Sequence, residues 1–196
     1  VLALLIGLYP AIYFIIDKKF GLLNTKPEEL LGSIYWNVFF YLHIIFGGIS
    51  LLIGWILFIK KIRLTKISLH KTLGKIYISS ALISSISSLY IGLYVTGGII
   101  ASIGFICLGI AWFYTTLRAY VHIRKKQIIK HEQLMIISYA LCFAAVTLRI
   151  WLPILEVVFG DFNTAYIITA WLCWIPNLIG ALLFIKHKKS TINSIS

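Results

Sequence analysis

The chain alternates long apolar runs with short polar connections. Six runs approach or reach the length of ~20 residues that an α-helix needs to cross the hydrocarbon core of a bilayer. No internal repeat is evident. The pattern predicts an all-α fold, a polytopic transmembrane bundle of six membrane helices in one domain over residues 1–189, followed by a polar tail at 190–196. The six runs lie at residues 1–16, 35–59, 73–96, 98–117, 133–152 and 165–185.

Composition supports an integral membrane protein in contact with the lipid bilayer. Apolar residues make up 60% of the chain and charged residues only 12%, whereas charged residues approach about a quarter of a soluble domain. The formal net charge of +12 would suit a nucleic-acid partner. However, the cations lie between the apolar runs and not on one polar domain, so we interpret them as topology signals and expect no nucleic-acid binding.

The loop charges predict the orientation. Fourteen cations fall on one side of the six runs, opposed there only by Glu132, whereas the other side carries four cations and five carboxylates. By the positive-inside rule, both termini are expected in the cytoplasm. The first set comprises Lys60, Lys61, Arg63, Lys66, Lys71, Lys75, Arg118, Arg124, Lys125, Lys126, Lys130, Lys186, Lys188 and Lys189; the second comprises Lys18, Lys19, Lys26, Arg149, Asp17, Glu28, Glu29, Glu156 and Asp161.

The first outer loop carries the signals of a short surface helix. Thr25 and Glu28 have the spacing of a capping box, with Pro27 between them. Tyr35 and Trp36 follow, and aromatic residues of this kind concentrate at the membrane–water interface. We therefore expect a short helix after Pro27 and an interfacial position for both aromatic side chains.

Two prolines are expected to interrupt helices. Pro153 is predicted to end the fifth membrane helix. Pro176, in the middle of the sixth run, lacks a backbone donor and is expected to kink that helix. The kink would free the carbonyl of Leu172, next to the polar side chain of Asn177.

Ionisable groups stand at both ends of the fifth run. His131 and Arg149 are eighteen residues apart, which is five helical turns, so they are expected on one face. Met135, Ser138 and Cys142 lie along that face and favour contact with protein over lipid. An arginine in a membrane segment commonly costs ~2.5–3.5 kcal/mol and is usually partnered or functional. For Arg149 a haem propionate, a lipid headgroup and Glu156 are alternative partners, and snorkelling to the interface is the structural alternative.

His43 is the candidate cofactor ligand of the outer half. It lies ~12 Å into the membrane by helical rise, with Gly47, Ser50 and Gly54 on the same face. An imidazole above a stripe of small residues suits a b-type haem. The same stripe equally suits close helix packing, with His43 making a structural hydrogen bond.

His70 and His131 form a second candidate site, on the cytoplasmic side. If the third and fifth helices pack together, the two imidazoles are placed to bind one haem or one metal such as copper, with Met135 as a soft ligand. Contacts with lipid headgroups or hydrogen bonds at helix ends are the alternatives. Because His43 stands alone in the outer half, a protein with two bis-histidine haems is disfavoured.

Other chemistry is not indicated. Cys107, Cys142 and Cys173 fall inside apolar runs without paired spacing, as small buried hydrophobes do. Paired carboxylates, a nucleophile elbow and a phosphate-binding glycine loop are not evident in the sequence, which argues against a hydrolase or an NTPase. The remaining polar groups of the runs are expected in a polar interior that includes Tyr77, Arg118, Tyr139 and Asn177.

Four stretches carry a family resemblance: RLTKISLHKTLGKIY at 63–77, TTLRAYVHIRKKQIIKHEQLM at 115–135, SYALCFAAVTLRIWLP at 138–153 and WLCWIPN at 171–177. Together they resemble a family of bacterial multi-pass membrane proteins known as a domain of unknown function. The similarity runs from about His43 to Asn177. It implies the helical fold and a bacterial plasma-membrane location, and it supplies no chemistry. The family usually has basic residues where this chain has Glu132 and Gln133.

Three functional hypotheses follow. The first is a redox-type protein that holds one haem b or a copper ion through buried histidines and exchanges electrons with a quinone or a membrane protein partner. The second is a scaffold or assembly subunit without enzymatic activity, whose polar interior fixes helix packing. The third is a small transporter with its site at the interrupted sixth helix.

Overall fold

A computed structural model describes residues 2–14 and 21–193, and the regular elements of that part of the chain are all helices. Asp17, Lys18 and Lys19 of the predicted outer loop lie outside the described residues. The α-helices are α1 (Leu2–Leu8), α2 (Glu28–Gly32), α3 (Ile34–Leu57), α4 (Lys60–Thr65), α5 (Ile67–Ile91), α6 (Gly98–Arg124), α7 (Ile128–Cys142), α8 (Ala144–Phe159), α9 (Phe162–Leu172) and α10 (Ile175–Asn193); 3₁₀-helices cover Tyr9–Phe14, Gly21–Thr25 and Gly92–Tyr94.

The fold class is confirmed. Five helical spans of the described chain are long and apolar enough to cross a membrane, and a shorter apolar helix, Leu2–Tyr13, precedes them, which fits six membrane helices. The last span continues as helix to Asn193, into the stretch predicted as a polar tail. The spans are Ile34–Leu57, Ile67–Tyr94, Gly98–Arg124, Ile128–Phe159 and Phe162–Ser190.

The fifth predicted membrane helix corresponds to Ile128–Phe159. It is longer than predicted and is interrupted elsewhere. Its helical geometry changes at Phe143, between α7 and α8, and α8 then passes through Pro153 to Phe159. A proline inside a helix removes the bond to the carbonyl four residues earlier, and its ring crowds that carbonyl, yet α8 remains helical through Pro153. It ends at Gly160, whose φ of 65° is the left-handed conformation typical of a helix C-terminus.

The sixth predicted membrane helix corresponds to Phe162–Ser190 and is interrupted just before its proline. The break falls between α9 and α10, and Pro176 is the second residue of α10, where its missing N–H is not needed. The carbonyl that gains other partners is that of Cys173, not the predicted Leu172. It accepts hydrogen bonds from the Thr147 hydroxyl and from Asn177 Nδ2, the latter at 3.0 Å.

Close helix packing depends on glycines of α3. A Cβ at Gly48 would lie 2.6 Å from the carbonyl oxygen of Gly7, so α1 approaches α3 at this point. A Cβ at Gly54 would lie 2.3 Å from the ring of Tyr139 in α7. The largest completely buried side chains around these contacts include Tyr77, Leu51 and Leu141. The core therefore lies where α3, α5, α6 and α7 meet.

The first connection, between α1 and α3, contains the predicted short helix α2. It also contacts the connection between α5 and α6. α2 begins after Pro27, which is its N-cap residue, so Thr25 does not cap it. The Thr25 hydroxyl lies 3.0 Å from that of Thr96, in the connection between α5 and α6. This contact joins the two connections at the end of the bundle that holds the cavity described below.

Candidate functional site

A cavity of about 250 Å³ lies inside the bundle, at the end opposite the cluster of fourteen cations. Its wall is mainly apolar and aromatic, with contributions from α1, α3, α5, α6 and α8. Three basic residues line it: Lys26 from the first connection, His43 from α3 and Arg149 from α8. None of the described lining residues is acidic. We refer to this space as the basic cavity.

Arg149 brings a guanidinium to the basic cavity. Its Nη1 donates to the carbonyl oxygen of Ala145 at 2.8 Å, and its Cζ lies 4.4 Å from the centroid of the Tyr9 ring. Among the described residues, no carboxylate is within ion-pair distance, and the predicted partner Glu156 is exposed on α8. A guanidinium has five N–H donors. Arg149 therefore retains donors for a further partner.

His43 is held in one orientation by Ser84 of α5. Its Nδ1 lies 3.1 Å from the carbonyl oxygen of Ser84, and the Ser84 hydroxyl donates to the His43 carbonyl at 2.9 Å. If Nδ1 carries the proton and donates it, Nε2 is left as an acceptor or ligand. Nε2 has no hydrogen-bond partner in the described chain. Ser84 was not singled out from the sequence, because it is one of six serines in the run ISSALISSISS.

Lys26 is the third basic group, and its ammonium is partly buried. Nζ donates to the carbonyl of Tyr94 and, at 3.2 Å, to the hydroxyl of Thr96. Burial lowers the pKa of Lys26 from 10.5 to about 8. Sequence reasoning treated Lys26 only as a loop charge, because nothing local indicates that the first connection folds over the α5–α6 connection.

Trp36 is buried inside the protein, and its position at the membrane interface stays a prediction. Its side chain is 3% exposed and stacks on Phe40 with ring centroids 4.9 Å apart, whereas Tyr35 is 75% exposed. Trp36 lines the basic cavity, and its buried Nε1 has no hydrogen-bond partner in the described chain. A buried N–H without an acceptor is uncommon in proteins. Trp36 and Trp112, which lines the same cavity, therefore each carry an indole N–H that the described chain leaves without an acceptor.

The glycine stripe below His43 is in contact with other helices. A Cβ at Gly47 would lie 3.0 Å from the Ser84 hydroxyl, and Gly54 faces Tyr139. Ser50 donates to the Phe46 carbonyl of its own helix. This arrangement favours the packing interpretation of the stripe over that of a porphyrin cradle, although Gly47 also borders the cavity.

The two histidines of the second candidate site lie near one another. His70 and His131 are close enough to interact electrostatically. His131 Nδ1 lies 2.9 Å from the carbonyl oxygen of Ala119, whereas the buried Nδ1 of His70 has no partner in the described chain. Met135 is in the core, 7% exposed. No group of three or more His, Cys, Asp or Glu with metal-binding geometry occurs among the described residues, and a two-histidine site stays a prediction.

Glu132 forms two ion pairs. Its Oε1 accepts from Arg63 at 2.7 Å and from Lys188 at 2.8 Å. These ion pairs connect α4, α7 and α10. The Glu132 carboxylate thus links three helices at the basic end of the bundle.

The predicted polar interior is only partly assembled. Tyr77 is completely buried and lies 2.9 Å from the Ser138 hydroxyl. The Tyr139 hydroxyl donates to the Leu51 carbonyl at 3.3 Å. Asn177 forms its hydrogen bonds at the break between α9 and α10, as described above. Arg118 is exposed, with its guanidinium 5.9 Å from the Tyr114 ring centroid, and lies outside the interior.

Of the comparisons with known proteins, the one with family models gives a match. No curated protein and no solved structure is significantly similar to the chain. One family model does match, over residues 40–185; it covers α4 to α9 completely, most of α3, and α10 as far as residue 185. The chain therefore belongs to the family described as predicted membrane protein (DUF2306).

Proposed function

We propose that this membrane protein binds a lipid-soluble small molecule in the basic cavity. The observation that carries the proposal is the cavity itself: an apolar and aromatic space with Lys26, His43 and Arg149 at its wall. Ligand sites in proteins are typically concave and mostly apolar, with a few convergent polar groups. An ionisable residue inside a membrane bundle is a functional candidate by default.

A cavity-filling substitution tests the proposal. Ala145 lines the cavity, so Ala145→Phe places a ring in the ligand's volume, whereas Ile150→Phe adds a ring to an exposed position of the same helix. The protein is purified in mild detergent from its native host, and bound molecules are extracted and weighed by mass spectrometry. We expect a molecule that the wild type and Ile150→Phe retain and Ala145→Phe lacks. If the three proteins yield the same extract, the proposal is wrong.

A redox protein with one haem b is a second candidate. The supporting observation is the bond between His43 Nδ1 and the Ser84 carbonyl, since ligating imidazoles usually donate their other N–H in this way. Against it, the stripe below His43 is packed against Ser84 and Tyr139. A reduced-minus-oxidised spectrum decides: a haem band that His43→Ala abolishes supports the candidate, and a colourless folded protein excludes it.

The remaining hypotheses depend on the same experiments. A quinone is one lipid-soluble molecule that the extraction would identify. A scaffold role is favoured if no molecule is found and the polar contacts matter only for stability. A transporter is favoured if the ligand exchanges across the membrane in vesicles. In each case we place the protein in a bacterial plasma membrane with the cationic end in the cytoplasm.

A further inference from the structure

We propose that the ligand of the basic cavity is an amphiphile with one apolar chain and an anionic head, a carboxylate or a phosphate, and that the head binds between Arg149, Lys26 and Trp36. This inference rests on the proposed function and names the chemistry of its ligand. Three independent features support it: the charge of the wall, the unused donors and the position of the apolar lining.

The wall carries positive charge without an acidic counterpart among the described lining residues. Arg149 is partly buried, and no described carboxylate pairs with it. Burying an uncompensated charge is costly, and an anion beside the guanidinium offsets that cost. A neutral ligand would leave the charge of the guanidinium uncompensated among the described residues.

Unused donors belong to residues of the same wall. Trp36 is almost completely buried, and its Nε1 has no described acceptor. Arg149 uses one N–H in the described hydrogen bonds. Carboxylate and phosphate oxygens accept several hydrogen bonds at once, and a guanidinium binds both bidentately. An anionic head would therefore satisfy an indole and a guanidinium that the protein's own groups leave unsatisfied.

The apolar lining gives the direction of the chain. Leu51 and Leu141 line the cavity and are buried in the centre of the bundle, whereas Lys26 belongs to the first connection at the bundle's end. A head near Lys26 thus directs the tail inward. The volume of about 250 Å³ is at the lower limit of ordinary ligand pockets, ~300–1,000 Å³. It favours one acyl or alkyl chain over a two-chain lipid.

Three probes of equal chain length test the inference: dodecanoate, dodecyl phosphate and dodecanol. Each is titrated calorimetrically into delipidated protein in a sterol-based detergent, which has no alkyl chain to compete. We expect at least one anionic probe to bind about 10–100-fold more tightly than dodecanol, as for hydrogen bonds to charged groups. Arg149→Gln should remove that preference, because it weakens binding of the anionic probe more than binding of dodecanol.

The outcomes separate the inference from the proposed function. Equal affinity for all three probes, abolished by Ala145→Phe, overturns the anionic head and leaves the ligand cavity standing. Binding that Ala145→Phe does not reduce overturns both. A preference for only one anionic probe supports the inference and identifies the head as carboxylate or phosphate.

A second variant covers the case in which Arg149→Gln does not fold. Trp36→Phe removes one N–H and keeps an aromatic ring on Phe40; Trp55→Phe, at a position 40% exposed, is the matched control. We expect Trp36→Phe to weaken anionic binding about 5–30-fold and Trp55→Phe to leave it unchanged. Equal affinities for the two variants would contradict the assigned position of the head.

Discussion

Tyr77 is the largest of the completely buried side chains and begins a chain of hydroxyl groups. Thr116 donates to the Trp112 carbonyl at 2.7 Å, so its oxygen accepts from Ser138, 2.7 Å away. Ser138 in turn accepts from the Tyr77 hydroxyl at 2.9 Å. Each hydroxyl has one proton, so the direction of the whole chain is fixed. The chain connects α5, α6 and α7 in the centre of the bundle.

Ser138→Ala should leave the Tyr77 hydroxyl without an acceptor. We expect the free energy of unfolding to fall by about 0.5–2 kcal/mol, the range for hydrogen bonds between membrane helices and for buried unsatisfied groups. Tyr77→Phe combined with Ser138→Ala should cost less than the sum of the single changes. Ser68→Ala, at an exposed position of α5, is the control. Additive losses in detergent unfolding titrations would show that the chain does not form.

Lys26 should make stability depend on pH. Its pKa is about 8 in the folded protein and 10.5 in the unfolded chain, so the unfolded chain binds more protons between these values. The cost of burying the ammonium is therefore present below pH 8 and is relieved as pH rises towards 10.5. We expect the melting temperature of the wild type, relative to Lys26→Met, to be higher at pH 9.5 than at pH 7. A difference independent of pH would contradict the lowered pKa.

Single residues were predictable from sequence when their chemistry conflicts with their surroundings. His43 and Arg149 stand out because ionisable side chains are rare in apolar runs. Lys26, Trp36 and Ser84 do not stand out, since a loop lysine, an interfacial tryptophan and a serine in a serine run are each ordinary. Their roles depend on which helices meet, and spacing does not contain that information.

The membrane spans followed from hydrophobicity, but their interruptions did not follow from proline. Pro153 lies inside α8, and Pro176 lies in the first turn of α10. The breaks fall at Phe143 and at Cys173–Trp174. At the second break, Thr147 and Asn177 satisfy the Cys173 carbonyl from two helices. Tertiary hydrogen bonds of this kind offset the loss of helical ones, and local propensity does not reveal them.

Helix packing predicts opposite effects for two glycines. A Cβ at Gly54 would lie 2.3 Å from the Tyr139 ring, whereas a Cβ at Gly74 would meet nothing within 4 Å. Gly54→Ala should destabilise the protein by about 1–3 kcal/mol through overpacking. Gly74→Ala should be neutral or stabilise by up to about 1 kcal/mol, because alanine favours helix. Equal effects on detergent unfolding would contradict the close approach of α3 and α7.

The two ends of the whole molecule differ in charge and in the chemistry they expose. The cationic end is held by Glu132, which pairs with Arg63 and Lys188. The opposite end contains the basic cavity, α2 and the connection between α8 and α9. In that connection Asp161 caps the N-terminus of α9, and its carboxylate accepts a hydrogen bond from the backbone N–H of Thr164 at 2.8 Å. By the positive-inside rule, we expect the cavity near the outer surface.

Cysteine labelling tests that orientation. Glu29→Cys and Lys125→Cys are exposed positions at opposite ends, in a background without the three native cysteines. In intact cells, a membrane-impermeant maleimide should label Glu29→Cys, and Lys125→Cys should react only after the cells are opened. The reverse pattern would invert the topology.

The most direct test of the account is to locate a bound anionic amphiphile. A dodecanoate analogue with a photoreactive diazirine at the chain end is irradiated with the protein, and the labelled residues are identified by mass spectrometry. We expect labels at the buried cavity wall, on Leu51, Trp112 or Leu141, and their loss in Ala145→Phe but not in Ile150→Phe. Labels confined to the exposed apolar surface, such as Ile99 and Val157, would contradict a ligand in the basic cavity.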